Sequence, residues 1–454
     1  MRIIKQVMIL SVICLLIAMI ILIACACDKA NSSEEDMIGQ DHVTYGIPKI
    51  WSKTFGGPAS DMASASQQTN DGGYIIAGVT NSYGAGSSDA YLIKTDERGN
   101  ELWSKTFGGR GNDTARAVHQ TIDEGYIIAG RTDSYGAGFD DVYLIKTDES
   151  GNEQWSKTFG GMGYDTASAV KQTIDRGYII AGQTNTYGTG FDDIYLIKTD
   201  ESGNEQWSKT FGGSASDGAS AVLQTVDGGY IIAGETSSYG AGPSDVYLIK
   251  TDEQGNEQWS RTFGGPLADV ANSIQQIPGD DAYIVAGYAE INNMPMGSNQ
   301  DVYLIKIDGE GNELWSTSFG ASQFDERVQS VKSTPDGGYI LAGHTEACGT
   351  NEWAAYLAKT DENGNESWSS DVSNAAAYYS VLSNTNGEYI TAGFTFSLGT
   401  RESDVVLTKT NESNLQLRDS SSLDTTESSC IPADTTAPLN YKKALPSGHK
   451  LPPF

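Results

Sequence analysis

Two sets of aspartates recur through the chain, each closing a glycine-rich stretch. The first ends FGGxxxD and its variants, at Asp61, Asp113, Asp165, Asp217, Asp269 and Asp325. The second ends YGxGxxD and its variants, at Asp89, Asp141, Asp193, Asp245, Asp301 and Asp404, with Ala354 in the remaining place. Carboxylates on glycine-rich loops can form an acidic collar that holds a hydrated cation or a basic ligand. They can equally accept backbone N–H bonds inside their own loops. Repetition favours the second use, because a feature needed to build every unit appears in every unit. GGRGND (108–113) and GGMGYD (160–165) match the opening of the calcium-binding GGxGxD nonapeptide. That site needs tandem copies on a nonapeptide period, and these stand 52 residues apart. No cofactor is expected, and calcium is the one ion these loops suggest.

Chemistry specific to one place lies where the pattern breaks. The fifth loop of the second set lengthens to YAEINNMPMGSNQD (288–301), which carries Met294 and Met296. The sixth reads HTEACGTNEWAA (344–355), with Cys348 and Trp353 where other copies have glycine and aspartate. Exposed apolar groups rimmed by polar ones mark contact sites, although tolerant loops also drift by insertion. Catalytic signatures are missing: the four histidines (His42, His119, His344, His449) accompany no nucleophile elbow, HExxH or P-loop. Acids are so abundant that some pair will fall at glycosidase separation by number alone. Cys14, Cys25, Cys27, Cys348 and Cys430 form no CxxC pair or Cys/His cluster of the kind zinc requires.

The elements that position these residues follow from an internal repeat. Tryptophans of a WSxxF motif stand at 51, 103, 155, 207, 259, 315 and 368, a step of 52 residues that widens to 56 and then 53. Such a period signals stacked supersecondary units. The third unit reads DTASAVKQT (165–173), YIIAGQT (178–184), IYLIKTD (194–200) and EQWSKTF (205–211). YIIAG and YLIKT are the β-branched, aromatic runs of strands buried on both faces. In EQWSKTF, Trp, Lys and Phe alternate onto one face, and the lysine stem can lie along apolar surface. DGG and DESGN suit tight turns with glycine at positive φ. Four strands on short links make an antiparallel meander, which cannot bury both its faces alone. Seven of them set radially can.

The YIIAG-type strands begin at Tyr74, Tyr126, Tyr178, Tyr230, Tyr283, Tyr339 and Tyr389. The last unit has no WSKTF of its own, and an orphan WSKTF stands at 51–55. The expected fold is therefore an all-β, seven-bladed propeller over 49–411, closed by the N-terminal strand completing the last blade. The repeat resembles the extracellular β-propeller proteins with quinoprotein-like or WD40-like repeats, whose third-to-fourth strand turn carries the Asp, Gly and Trp seen in KTDESGNEQW (198–207). The resemblance implies architecture, and the binding groups of quinone-dependent enzymes have no counterpart here.

Outside the repeat, Arg2 and Lys5 precede an apolar run from Val7 to Ala24 with the layout of an export signal. Leu22-Ile23-Ala24-Cys25 resembles the bacterial and archaeal lipoprotein box, which implies cleavage after residue 24 and a lipid on Cys25. An uncleaved signal anchor is the alternative. Residues 25–48 then serve as a polar tether, and the Ser/Thr/Pro-rich 412–454 as a disordered tail. With 29 basic against 59 acidic residues, a formal charge of −30, the surface repels nucleic acid and anionic headgroups. The sequence thus points to a monomeric binding scaffold outside the cytoplasm, anchored to the cell membrane by lipid alone, with a surface protein or glycan as partner. A glycan hydrolase or lyase at the channel mouth, and a structural surface-layer component, are the alternatives.

Overall fold

The computed structural model describes residues 51–414 except 295–296, 322–323, 348–352, 373–375 and 397–401. The expected signal, the expected tether with Cys25, most of the expected tail, Met296 and Cys348 lie outside the described residues. Between them, the described residues form seven antiparallel sheets of four strands each. Blades one to six run through their strands in sequence order, as in blade three: Asp165–Gln172, Tyr178–Thr184, Asp193–Thr199 and Glu205–Phe211. Blade seven takes Ala377–Ser383, Glu388–Phe396 and Ser403–Asn411 from the end of the chain. Trp51–Phe55 supplies its fourth strand, in register from Trp51 opposite Lys409 to Phe55 opposite Val405. The orphan motif closes the ring as its sequence requires.

The double-sided burial of the YIIAG strands shows why the blades must be neighbours. Ile179 packs with Ala219 and Val222 of blade four, while adjacent Ile180 packs with Ile127 and Val142 of blade two. Each such side chain contributes about 1.5–3 kcal/mol when fully buried, and both faces of the strand collect that gain.

The repeated GNExWSK motif works across blade boundaries. Trp103, on the outer strand of blade one, meets Tyr126 of blade two with ring centroids 5.9 Å apart. Its indole also lies against Gly151 in the last turn of blade two. That glycine has φ +75°, and a Cβ there would stand 2.6 Å from a Trp103 ring carbon. Two residues on, Lys105 Nζ donates to Asn152 Oδ1 at 3.1 Å. The Trp and Lys of one blade are thus read by the Gly and Asn of the next.

Each innermost strand carries a β-bulge, between Ala167 and Ala169 in blade three. Opposite it, a Cβ on Gly182 would fall 1.9 Å from the Thr166 carbonyl oxygen, so only glycine fits. The bulge increases twist and re-aims the residues beyond it.

Blade five departs from the expected loop. Its second and third strands extend to Ala282–Met294 and Gly297–Asp308, paired out to Met294 opposite Gly297. The insertion continues the ladder as a hairpin, with Glu290 opposite Gln300 and Ile291 opposite Asn299 before a shift in register.

Candidate functional site

The two aspartate sets converge at the blade boundaries, on the face that carries the glycine-rich loops. Asp113 is fully buried and accepts from Gly109 N (2.8 Å), Ser134 Oγ (2.7 Å) and the Thr132 hydroxyl. Asp141 accepts from the backbone N–H groups of Ala137 and Gly138 at 2.9 and 3.0 Å. Both sets close on one glycine per boundary: a Cβ on Gly160 would lie 2.6 Å from Asp165 Oδ2 and 2.5 Å from Asp141 Oδ1. Asp61, Asp217 and Asp269 are buried in the same way. These carboxylates hold loops together.

Asp325 does not occupy the sixth such position. The loop before it has one extra residue, so Glu326 takes the buried slot, opposite Thr345 as Asp217 is opposite Thr236. Asp325 instead pairs with Glu346 and accepts from Gln300 N at 3.0 Å.

Trp353 lies at the irregular rim of blade six, half-buried rather than standing free. Its indole stacks on His344 with centroids 4.4 Å apart and planes 5° from parallel. It also packs against the Ala376, Ala377 and Phe394 cluster, on which Met62 and Tyr379 pack as well, so that blades one, six and seven meet there. Burial, reinforced by the Arg327 charge, pushes the His344 imidazole down to about 3, so the ring is neutral at physiological pH. Arg327 lies over the Tyr288 ring, 5.6 Å from its centroid. Phe394 meets Phe396 at 5.5 Å, and Phe396 is left 53 % exposed. Met294 is at the tip of the blade-five hairpin.

Inside the ring, the innermost strands enclose a cavity of about 630 Å³. Arg116, Lys171, Arg327 and Lys332 line it, with Glu235 as the one lining carboxylate. Sequence inspection missed these cations. The available signal was basic residues on the small, polar innermost strands of an acidic chain. It also missed an apolar set on the glycine-rich loops of blades two and three, where exposed Phe139 stacks on Tyr164 at 5.2 Å.

The fold defines a seven-bladed β-propeller. No protein-family profile matches the chain. It is similar to the regulatory protein FlaEY of Caulobacter vibrioides, 24 % identical over 251 residues, which are 48 % of this chain and 25 % of that one. The chain thus matches about a quarter of the length of that relative. Among solved structures, the WD40 β-propeller domain of Doa1 superposes with TM-score 0.49 at 12 % identity, over 80 % of this chain and 96 % of that one. Sqt1 from Chaetomium thermophilum gives 0.44 at 12 % identity, over 76 % and 83 %. The S511A mutant of puromycin hydrolase, complexed with PGG, gives 0.48 at 12 % identity, over 76 % and 53 %.

Proposed function

We propose that this propeller is a protein-binding scaffold, held outside the cytoplasm by a lipid on Cys25, that grips its partner at the rim of blades five to seven. The observation that carries the reading is the aromatic cluster around Trp353, where the loop pattern of the other blades is abandoned. Trp353 stacks on His344 and shares with Tyr379 the Ala376, Ala377 and Phe394 cluster, with Phe396 exposed on the neighbouring blade. Half-buried aromatics with a polar surround are the composition of interface hot spots. The extended hairpin of blade five adds a raised wall beside them.

The test compares the chain with Trp353→Ala and with a variant whose 288–301 segment is replaced by the shorter loop of blade four. Partners crosslinked from envelope extract are quantified for each, and circular dichroism checks that the ring is intact. Loss of one captured protein in both folded variants supports the reading, and equal capture by all three removes it. Lipid labelling of the full chain and of Cys25→Ser tests the anchor separately, the label being expected on the first alone.

A further inference from the structure

We propose that the central channel is an anion-binding site, in which Lys171 and Lys332, supported by Arg116 and Arg327, take a compact polyanion bearing phosphate or carboxylate groups. The chain carries a formal charge of −30, yet four cations and one carboxylate line this cavity. The innermost strands carry their acids only at the loop end (Asp61, Asp113, Asp165, Asp217 and Asp269, with Asp325 and Glu326 in blade six), and none further along. Lys171 and Lys332 occupy the same strand position in blades three and six, on opposite sides of the ring. A channel with low-dielectric walls focuses a field of one sign, and this one focuses positive potential inside a negative molecule.

The structural lysines of this protein look different. Lys94, Lys146, Lys198, Lys250 and Lys359 each meet an aspartate at 2.8–2.9 Å. Lys171 and Lys332 make no ion pair or hydrogen bond among the described residues. Both are enclosed by the ring while touching channel solvent. Burial, with repulsion from Lys332, pushes the Lys171 ammonium down to about 8, and burial lowers Lys332 as well. The other titratable groups lining this space are Arg116, Arg327, His344, Tyr288, Tyr379 and Glu235, while His119 lies near enough to feel the Lys171 charge; the carboxylate of Glu235 already accepts from Ser244 Oγ at 3.0 Å. Like charges held unpaired cost stability, so a bound anion supplies the missing partner. The cavity, about 630 Å³ with Lys171 and Lys332 both in its lining, has room for two or three phosphate or carboxylate groups together.

Inorganic pyrophosphate is the probe, titrated calorimetrically into the full chain at low salt. One saturable site is expected, with affinity falling about tenfold in Lys171→Met and in Lys332→Met, the loss of a charge-assisted hydrogen bond. Lys53→Met makes the same change in net charge on an outer strand and is expected to bind as the parent does. The unliganded channel variants are expected to melt no lower than the parent. At pH 8 the parent is expected to take up protons on binding, read from the dependence of the heat on buffer. No saturable binding overturns the proposal, as does equal affinity in the channel variants. Equal loss in Lys53→Met would reduce it to surface electrostatics. A lower melting point in Lys171→Met would make that lysine structural and also reject the site.

Discussion

In blade five the carboxyl of Asp301 is 7 % exposed, and Asn299 Nδ2 donates to it at 2.6 Å. Burial, with the nearby charge of Asp325, pushes it up to about 6 despite that bond. The folded pKa therefore exceeds the unfolded one, and between them the folded chain binds the extra proton. Stability falls as pH rises from about 4 to 6, by up to about 1.4 kcal/mol per unit for this one group. Asp301→Asn is expected to flatten that part of a stability-against-pH curve measured by urea unfolding. An unchanged slope would show that Asp301 titrates normally. Glycine substitutions probe the blade boundary at the same scale. Gly151→Ala forces a side chain into positive φ and into the Trp103 indole, and is expected to cost about 2 kcal/mol or more. Gly265, with nothing within 4 Å of a built Cβ, is the control: Gly265→Ala should stay within about 0.5 kcal/mol.

Among elements, the tight turn between the first two strands is tied to the third strand by a buried lysine. In blade six, hydrogen bonds from Lys359 and Thr334 hold Asp336 down to about 2. Here the linkage has the opposite sign from Asp301: the contribution is present above the ordinary carboxylate pKa and is lost as pH falls toward 2. Asp336→Asn is expected to lower stability at pH 7 and to make the melting temperature less sensitive to acid, as scanning calorimetry would register. The strands themselves were legible because the repeat places the same turn residues beside the same apolar runs. The buried role of Asp113 was legible from its recurrence. Asp325 was misplaced because one inserted residue shifts the register, and only its cross-strand partner reveals which acid faces inward. The channel cations were hidden by the bulge. Arg116 and the Lys171 position lie three steps apart along equivalent strands, which strict alternation would send to opposite faces. Arg116 is itself the extra residue of the bulge, outside the alternation, and both positions line the cavity.

At the scale of the whole ring, closure depends on a five-residue strand from the start of the chain. Trp51–Phe55 pairs along Val405–Lys409, its Trp51 ring meets Tyr74 of blade one at 6.1 Å, and Lys53 Nζ reaches Asn100 at 3.1 Å. Without it, blade seven presents a bare edge at Ser403–Asn411, and the Gly99 turn of blade one loses the indole it fits against. Unpaired edges recruit other strands. Deleting residues 49–57 is therefore expected to lower the melting temperature by roughly 10 °C or more, on the scale of several kcal/mol for a domain of this size. Self-association through the exposed edge should accompany it, visible by light scattering. The sequence of the missing strand, WSKTF, is repeated letter for letter at Trp207–Phe211. A synthetic peptide copied from 203–213 should thus add to the truncated chain by strand augmentation. Melting should recover and association should cease, while a peptide with Trp→Ala should do neither. Unchanged melting after the deletion would mean that the ring is held shut by contacts between blades alone, and that the shared seventh blade has no energetic role.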